Sequence, residues 1–174
     1  MQADREPVEL RFYPERVLKR RAQPVREITD EVAARAEEML DLMYESDGLG
    51  LAAPQVGWSR RVVTLDVEGA HEGRRIYVNP VIVDRQGHME HEEGCLSLPG
   101  VRACVPRAAK VRVVAYALGG QRVEMEAEDL VACAWQHEMD HLNGLLIIDR
   151  LSPTALMALR EQLKKLEQEA QSGR

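Results

Sequence analysis

Positive charge is in short supply. The 174-residue chain carries 23 Lys and Arg against 29 Asp and Glu, a formal net charge of −6, so its overall balance advertises no nucleic-acid surface and no DNA partner is expected. No apolar stretch is long enough to span a bilayer, which sets a membrane role aside. The opening Met-Gln-Ala-Asp-Arg-Glu lacks a basic start followed by an apolar run, and its acidic residues argue against an organelle transit peptide. Cysteines number only three, an odd count without a secretion signal, which points to reduced thiols and a cytoplasmic setting. Repeats and low-complexity segments are missing too. The expectation is one compact domain over residues 1–174, with a flexible start over 1–9.

What is present is His137-Glu-Met-Asp-His141, an HExxH spacing. On a helix, residues four apart share a face, so both imidazoles can reach one metal ion. Glu138, beside the first ligand, can take a proton from metal-activated water. Glu128 or Asp129 can cap this helix and Gly144 follows its last turn. Leu130, Cys133, Ala134, His137 and His141 form a stripe expected to be the buried face. Two buried imidazoles need hydrogen bonds or a metal.

A catalytic metal needs a third protein ligand and an open corner. The extended HExxHxxGxxH pattern fails because position 147 is Ile, and no histidine follows His141. Glu161, Glu167 and Glu169 sit in a charged, solvated helix and make poor candidates. Cys133 lies eight residues from His141, a rise of about 12 Å, too far for bonds of about 2 Å to one ion. Cys104 reads as a core or strand thiol, whereas Cys95 lies in a turn-rich Glu-Glu-Gly-Cys-Leu-Ser-Leu-Pro-Gly segment. Cys95 is favoured, with Cys104 left open. A zinc-dependent protease and a non-catalytic module closed by a fourth ligand, for which only Cys104 is available, are the alternatives.

Gly48-Leu-Gly-Leu-Ala-Ala-Pro-Gln55, Glu93-Gly-Cys-Leu-Ser97 and Gln136-His-Glu-Met-Asp-His141 resemble the three motifs of the peptide deformylases, in order and at fitting separations. The resemblance extends to Tyr77-Val-Asn-Pro80 and Asp149-Arg-Leu-Ser-Pro153, and covers residues 10 to 160. Pro54, Gly100, Cys133 and Trp135 depart mildly from the family pattern, and none is a presumed ligand. The resemblance implies a hydrolase that removes the formyl group from N-formylmethionyl nascent peptides and releases formate. It implies metal ligands Cys95, His137 and His141, with Fe2+ as native ion; ligand softness also admits Zn2+, Ni2+ or Co2+. Glu138 would serve as general base, with the Gln55 amide and the Leu96 backbone N–H stabilising the oxyanion. Releasing formate without cutting internal peptide bonds separates this reading from both alternatives.

Substrate contacts are less specified. Gly48, Leu49 and Gly50 could bring backbone against an extended peptide, which would add as a strand. Leu130, Cys133 and Ala134 are candidates for the methionine pocket, with ordinary core an equal reading. Arg102 resembles a family arginine near the peptide's downstream end, and Glu93 is a candidate to orient a ligating histidine.

The coarse map begins with a helix capped by Thr29, with Val32, Ala36, Met39, Leu40 and Met43 as its stripe and Gly48 as its close. Strand runs follow at 61–67 and 75–84 around a Gly-rich turn at 68–73, then at 110–118 and 121–127 around Gly119-Gly120. Ser152-Pro153 starts a helix over 153–171. The fold class is α+β, with antiparallel or mixed strands surrounding the HExxH helix. On the last helix Leu156, Leu159, Leu163 and Leu166 form a narrow seam. The resemblance implies that a C-terminal helix can dock on the ribosome, here weakly through Arg160, Lys164 and Lys165.

Overall fold

Thr29 accepts a hydrogen bond from the Val32 N–H (3.3 Å) and starts α1, Asp30–Glu45, in the computed structural model, which describes residues 7–67 and 75–173. The predicted stripe faces inward, with Ala36, Met39 and Met43 fully buried. The helix closes one residue earlier than Gly48: Asp47 takes the left-handed backbone conformation (φ 53°) and the Gly48 N–H donates to Met43 O. The turn at 68–73 and the first six residues of the expected flexible start lie outside the described residues.

Five strands form one antiparallel sheet: β1 Gly50–Ala52, β2 Val62–Leu65, β3 Ile76–Gln86, β6 Lys110–Tyr116 and β7 Arg122–Glu128, in the order β1-β2-β3-β6-β7. The Gly119-Gly120 hairpin falls where its turn chemistry predicts. Asn79 interrupts β3 with a positive φ of 51°, and its side chain pairs with the Val25 N–H and C=O, both at 2.8 Å. That contact pins the N-terminal segment to the sheet.

A second sheet pairs β4 Met89–Cys95 with β5 Leu98–Arg107, two strands absent from the coarse map, where the segment around Cys95 reads as turn-rich and Cys104 as a core or strand thiol. Its first strand, Met-Glu-His-Glu-Glu-Gly-Cys, has almost no apolar residue to mark a buried face. Pairing along its whole length with β5 supplies what periodicity could not show. Cys95 ends up at the tip, beside the two-residue turn Leu96-Ser97.

Helix α2, Asp129–Leu142, lies among these strands. Its core contacts are Ala132, Trp135, Met139 and Leu142, which join Val63, Leu65, Tyr77 and Val113 in one apolar cluster, Tyr77 meeting Trp135 edge-on at 4.9 Å. The predicted stripe is buried in part: Cys133 and His141 are buried and Ala134 packs against this cluster, while Leu130 is 41% exposed, and Leu130, Cys133, Ala134 and His137 line a cavity. The helix is buried on two sides, and its small residues misled the periodicity.

The C-terminal helix is also corrected. It divides into α3 Pro153–Ala158, capped by Ser152, and α4 Arg160–Gln171. At Leu159 the chain makes a tighter turn, its N–H reaching Leu156 O, which rotates the seam between the two helices. Leu163 and Leu166 enter a cluster with Leu98, Val101, Leu146 and Ile147, while Leu156 stays exposed. Among the described residues no helix is long and apolar enough to cross a membrane.

Candidate active site

A helix and a hairpin tip from separate parts of the chain converge on one point. His137 and His141 come from α2, one turn apart, and Cys95 from the end of β4. Their ligand atoms all lie within 4.8 Å of one another. His141 Nε2 is 3.3 Å from Cys95 Sγ and 3.1 Å from His137 Nε2. A thiolate and two imidazoles facing inward make an N₂S set that can hold a divalent ion and leave a fourth corner for water. Cys104 is outside it, exposed on β5 opposite Glu92. Cys133 points instead at Met89 Sδ, 3.6 Å away. Ile147 is buried in the apolar cluster under α4.

The two imidazoles differ electrically. Burial, with His137 and Arg107 nearby, pushes the His141 pKa well below its ordinary value, so its ring stays neutral with a lone pair to donate. Burial acts on His137 the same way, but hydrogen bonds with Cys95 and Glu93 outweigh it and raise that pKa. A metal on His137 Nε2 therefore competes with a proton. His137 Nδ1–H donates to Glu93 Oε2 at 2.9 Å, which fixes its ring and aims Nε2 at the centre. His141 Nδ1 is buried without a hydrogen-bond partner among the described residues.

Behind Glu93 lies Arg107, missed in the sequence. Its Nε and Nη2 donate to the two Glu93 oxygens at 2.7 and 2.8 Å, and its Nη1 donates to Asp140 Oδ2 at 2.7 Å. All three side chains are buried. Arg150 closes the far side of Asp140. Burial alone would raise the Glu93 pKa, but Arg107 and then His137 pull it down to about 2. Nothing in the spacing of Arg107 announced this. Asp140, within the HExxH helix and unable to be buried unpaired, was the available signal.

Glu138 is 4% exposed and its Oε2 has no hydrogen-bond partner among the described residues. Burial raises its pKa to about 7, with His137 pulling the other way. A carboxylate so poised can both take and return a proton near neutrality. Gly50 makes room for it: a methyl group there would sit 2.5 Å from Glu138 Oε1. This glycine admits the carboxylate, where a close approach to a ligand was expected. Gly48 lets Leu96 pack close, its absent Cβ standing 3.0 Å from Leu96 Cδ1.

Gln55 is buried, its Oε1 accepting from the Ala52 N–H at 2.9 Å. That bond fixes the amide so that Nε2 faces Ser97 Oγ (3.2 Å) and Cys95 Sγ (3.7 Å). Above the centre opens a cavity of about 580 Å³. Every other residue expected to touch substrate lines it: Gly48, Leu49 and Gly50 on one wall, Leu96 and Arg102 on another, Leu130, Cys133 and Ala134 along α2. Arg102 is exposed and paired with Glu92 at 3.0 Å. Asp47, His91, Pro99 and Gly100 also line it and were not foreseen.

Comparison with known proteins places this arrangement. The sequence model of the polypeptide deformylase family matches residues 7–156. A crystal structure of a peptide deformylase from Legionella pneumophila is similar at 39% identity and a TM-score of 0.85, covering 95% of this chain and 98% of that one. The Thermotoga maritima peptide deformylase is 39% identical, with a TM-score of 0.80 over 86% of this chain and all of the other. That of Synechococcus elongatus, solved in complex with actinonin, is 37% identical with a TM-score of 0.85 over 96% and 90%.

Proposed function

Since the chain belongs to the peptide deformylases, metalloenzymes that remove the N-formyl group from nascent peptides, we propose that Cys95, His137 and His141 hold its metal and that Glu138 is its general base. The observation that carries this reading is the buried Glu138 carboxylate beside a three-ligand cluster at the floor of an open cavity. A divalent ion in this set supplies Lewis acidity and a water acidic enough to ionise near neutral pH. Ferrous iron is the proposed native ion, with zinc, nickel and cobalt able to replace it on ligand softness. Parallel metal and activity measurements on protein purified with and without oxygen test that choice.

The chain's own groups do the rest. Glu138 accepts the water proton and returns it to the departing amine, so that formate and a free amino terminus leave. The Gln55 amide, held by Ala52, and the Leu96 N–H in the hairpin turn donate to the oxyanion as its charge grows. The peptide lies extended along β1, an edge strand, and pairs with Gly48–Gly50. Its methionine side chain enters between Leu130, Cys133 and Ala134, and Arg102 meets its downstream end. The Glu93–Arg107–Asp140 network keeps His137 aimed.

The reaction belongs in the cytoplasm, where thiols stay reduced and nascent chains appear. A weak ribosome contact through α4 would rest on the exposed Arg160, Lys164 and Lys165. The deciding experiment for the activity is formate release from an N-formylmethionyl tripeptide, with internal peptide bonds monitored alongside. Formate without internal cleavage is expected; cleavage inside the peptide would favour a protease.

A further inference from the structure

Net charge predicts no nucleic-acid surface, but the cations are unevenly placed. Between Glu15 and Glu27 the sequence sets Arg16, Lys19, Arg20, Arg21 and Arg26 with no acidic residue among them; between Asp47 and Asp66 it sets only Arg60 and Arg61. The fold joins these two stretches. The Gln23 N–H donates to Ser59 O at 3.0 Å, the Arg61 N–H to Gln23 O at 2.9 Å and the Ala22 N–H to Leu142 O at 2.9 Å. Arg61 is spent on the end of α2, reaching Leu142 O, Asn143 Oδ1 and Pro80 O. Beyond Asn143 the face runs into a polar cavity of about 370 Å³ with Arg85, His88 and Arg150 on its walls.

Several of these cations are neutralised: Lys19 by Asp149, Arg150 by Asp140. Arg20, Arg21, Arg60 and Arg85 are exposed and form no ion pair among the described residues. All four are guanidinium groups, whose planar fork matches phosphate oxygens in pairs. Residues 16–26 and 57–61 expose no large apolar side chain; exposed Val81 and Val83 lie only at the Arg85 rim, on the outer side of β3. The catalytic cavity and this polar cavity share no lining residue. Helix α4, by contrast, interleaves Arg160, Lys164 and Lys165 with Glu161, Glu167 and Glu169, which weakens its field.

We propose that the face formed by Arg20, Arg21 and Arg60, with Arg85 at its far rim, docks the phosphodiester backbone of RNA and leaves the catalytic mouth open to a nascent chain. It rests on the proposed function only in that such a substrate is presented beside RNA. Binding at this face is electrostatic, falls steeply with salt and carries no sequence preference.

The test is fluorescence anisotropy of a short labelled RNA hairpin against full-length protein at increasing salt. The Arg20→Gln, Arg21→Gln, Arg60→Gln variant should bind at least about tenfold more weakly, with a log–log salt slope shallower by about two to three. Arg85→Gln alone, a milder change, should flatten the slope by about one. Lys164→Gln with Lys165→Gln should bind as the parent does, and formate release from a tripeptide should be unchanged in all of them. The idea is overturned if the triple variant keeps parental affinity, or if the Lys164, Lys165 variant is the one that loses it. It also fails if phosphatidylserine vesicles or polyglutamate bind as tightly as RNA. RNA binding by a preparation that releases no formate supports this face and counts against the reaction alone.

Discussion

Two regions of this molecule are held together by opposite means. Around α2, β4 and β5 the decisive side chains are polar, buried and dependent on one another: Arg107 joins Glu93 to Asp140, and Glu93 aims His137. At the C-terminus α4 sends Leu163 and Leu166 into an apolar cluster and leaves most of its charges in water. A buried polar network fails as a unit, because removing one partner strands another charge. An apolar seam loses only what is cut from it. The first region should therefore answer substitution steeply, in metal and activity together, and the second shallowly, in stability alone.

Cys95→Ser should do most. A hard hydroxyl replaces a soft thiolate, so metal content and formate release should both fall to background. Retained metal in Cys95→Ser, with loss in Cys104→Ser, would transfer the ligand role and undo the comparison at its centre. Glu138→Ala should come next, with kcat/KM down at least about a hundredfold and metal still bound, since the proposed base is lost but no proposed ligand. Metal content that falls with the activity would make Glu138 a ligand.

Arg107→Met probes the network itself. Removing the guanidinium that Glu93 and Asp140 share leaves each buried carboxylate with one partner fewer, His137 and Arg150 remaining, and should cost about 3 kcal/mol in urea unfolding. Loosening Glu93 behind His137 should weaken metal binding by about 10- to 100-fold in a chelator competition. A cost no larger than that of a surface substitution would mean the buried ions are not coupled.

The same contrast explains what could be read in advance. Helix α1, the Gly119-Gly120 hairpin and the Ser152-Pro153 start were legible because caps, turns and apolar spacing act locally. The hairpin β4–β5 was not, because Glu90, His91, Glu92 and Glu93 carry no apolar alternation and the strand depends on its partner. The three proposed ligands, which the fold brings together, were legible through their spacing, their residue types and a family resemblance. Arg107 was not: an arginine is assigned to water by default, and only the fold brings Glu93 and Asp140 to it. The stripe on α2 was half legible: Cys133 and His141 are buried as expected, but a helix lining a cavity has a second apolar face that sequence cannot rank against the first.

The shallow side of the comparison is sharpened by Leu163→Ala and then by Tyr13. Leu163→Ala should cost about 2 kcal/mol through lost burial and leave formate release unchanged; a fall in activity would show that the seam reaches the metal centre. Truncation after Pro153 would be a poorer test, because it uncovers Leu98, Val101 and Leu146 along with removing charge. The smallest effect belongs to a polar tie on this side, the Tyr13 hydroxyl donating to Glu167 Oε1 at 2.6 Å. Tyr13→Phe should cost about 1 kcal/mol at neutral pH, the net worth of a partly exposed hydrogen bond. Burial first, then Glu167 and Asp149, raise the Tyr13 pKa from 10.0 to about 12. The folded protein therefore holds this proton more tightly than the unfolded chain. The contribution is complete below the phenol's ordinary pKa and disappears as pH rises through the folded value. Unfolding measured at about pH 9 and about pH 11 should show stability dropping more in the parent than in Tyr13→Phe. Equal drops would mean that the bond to Glu167 contributes nothing, and that the leucine seam alone holds α4 in place.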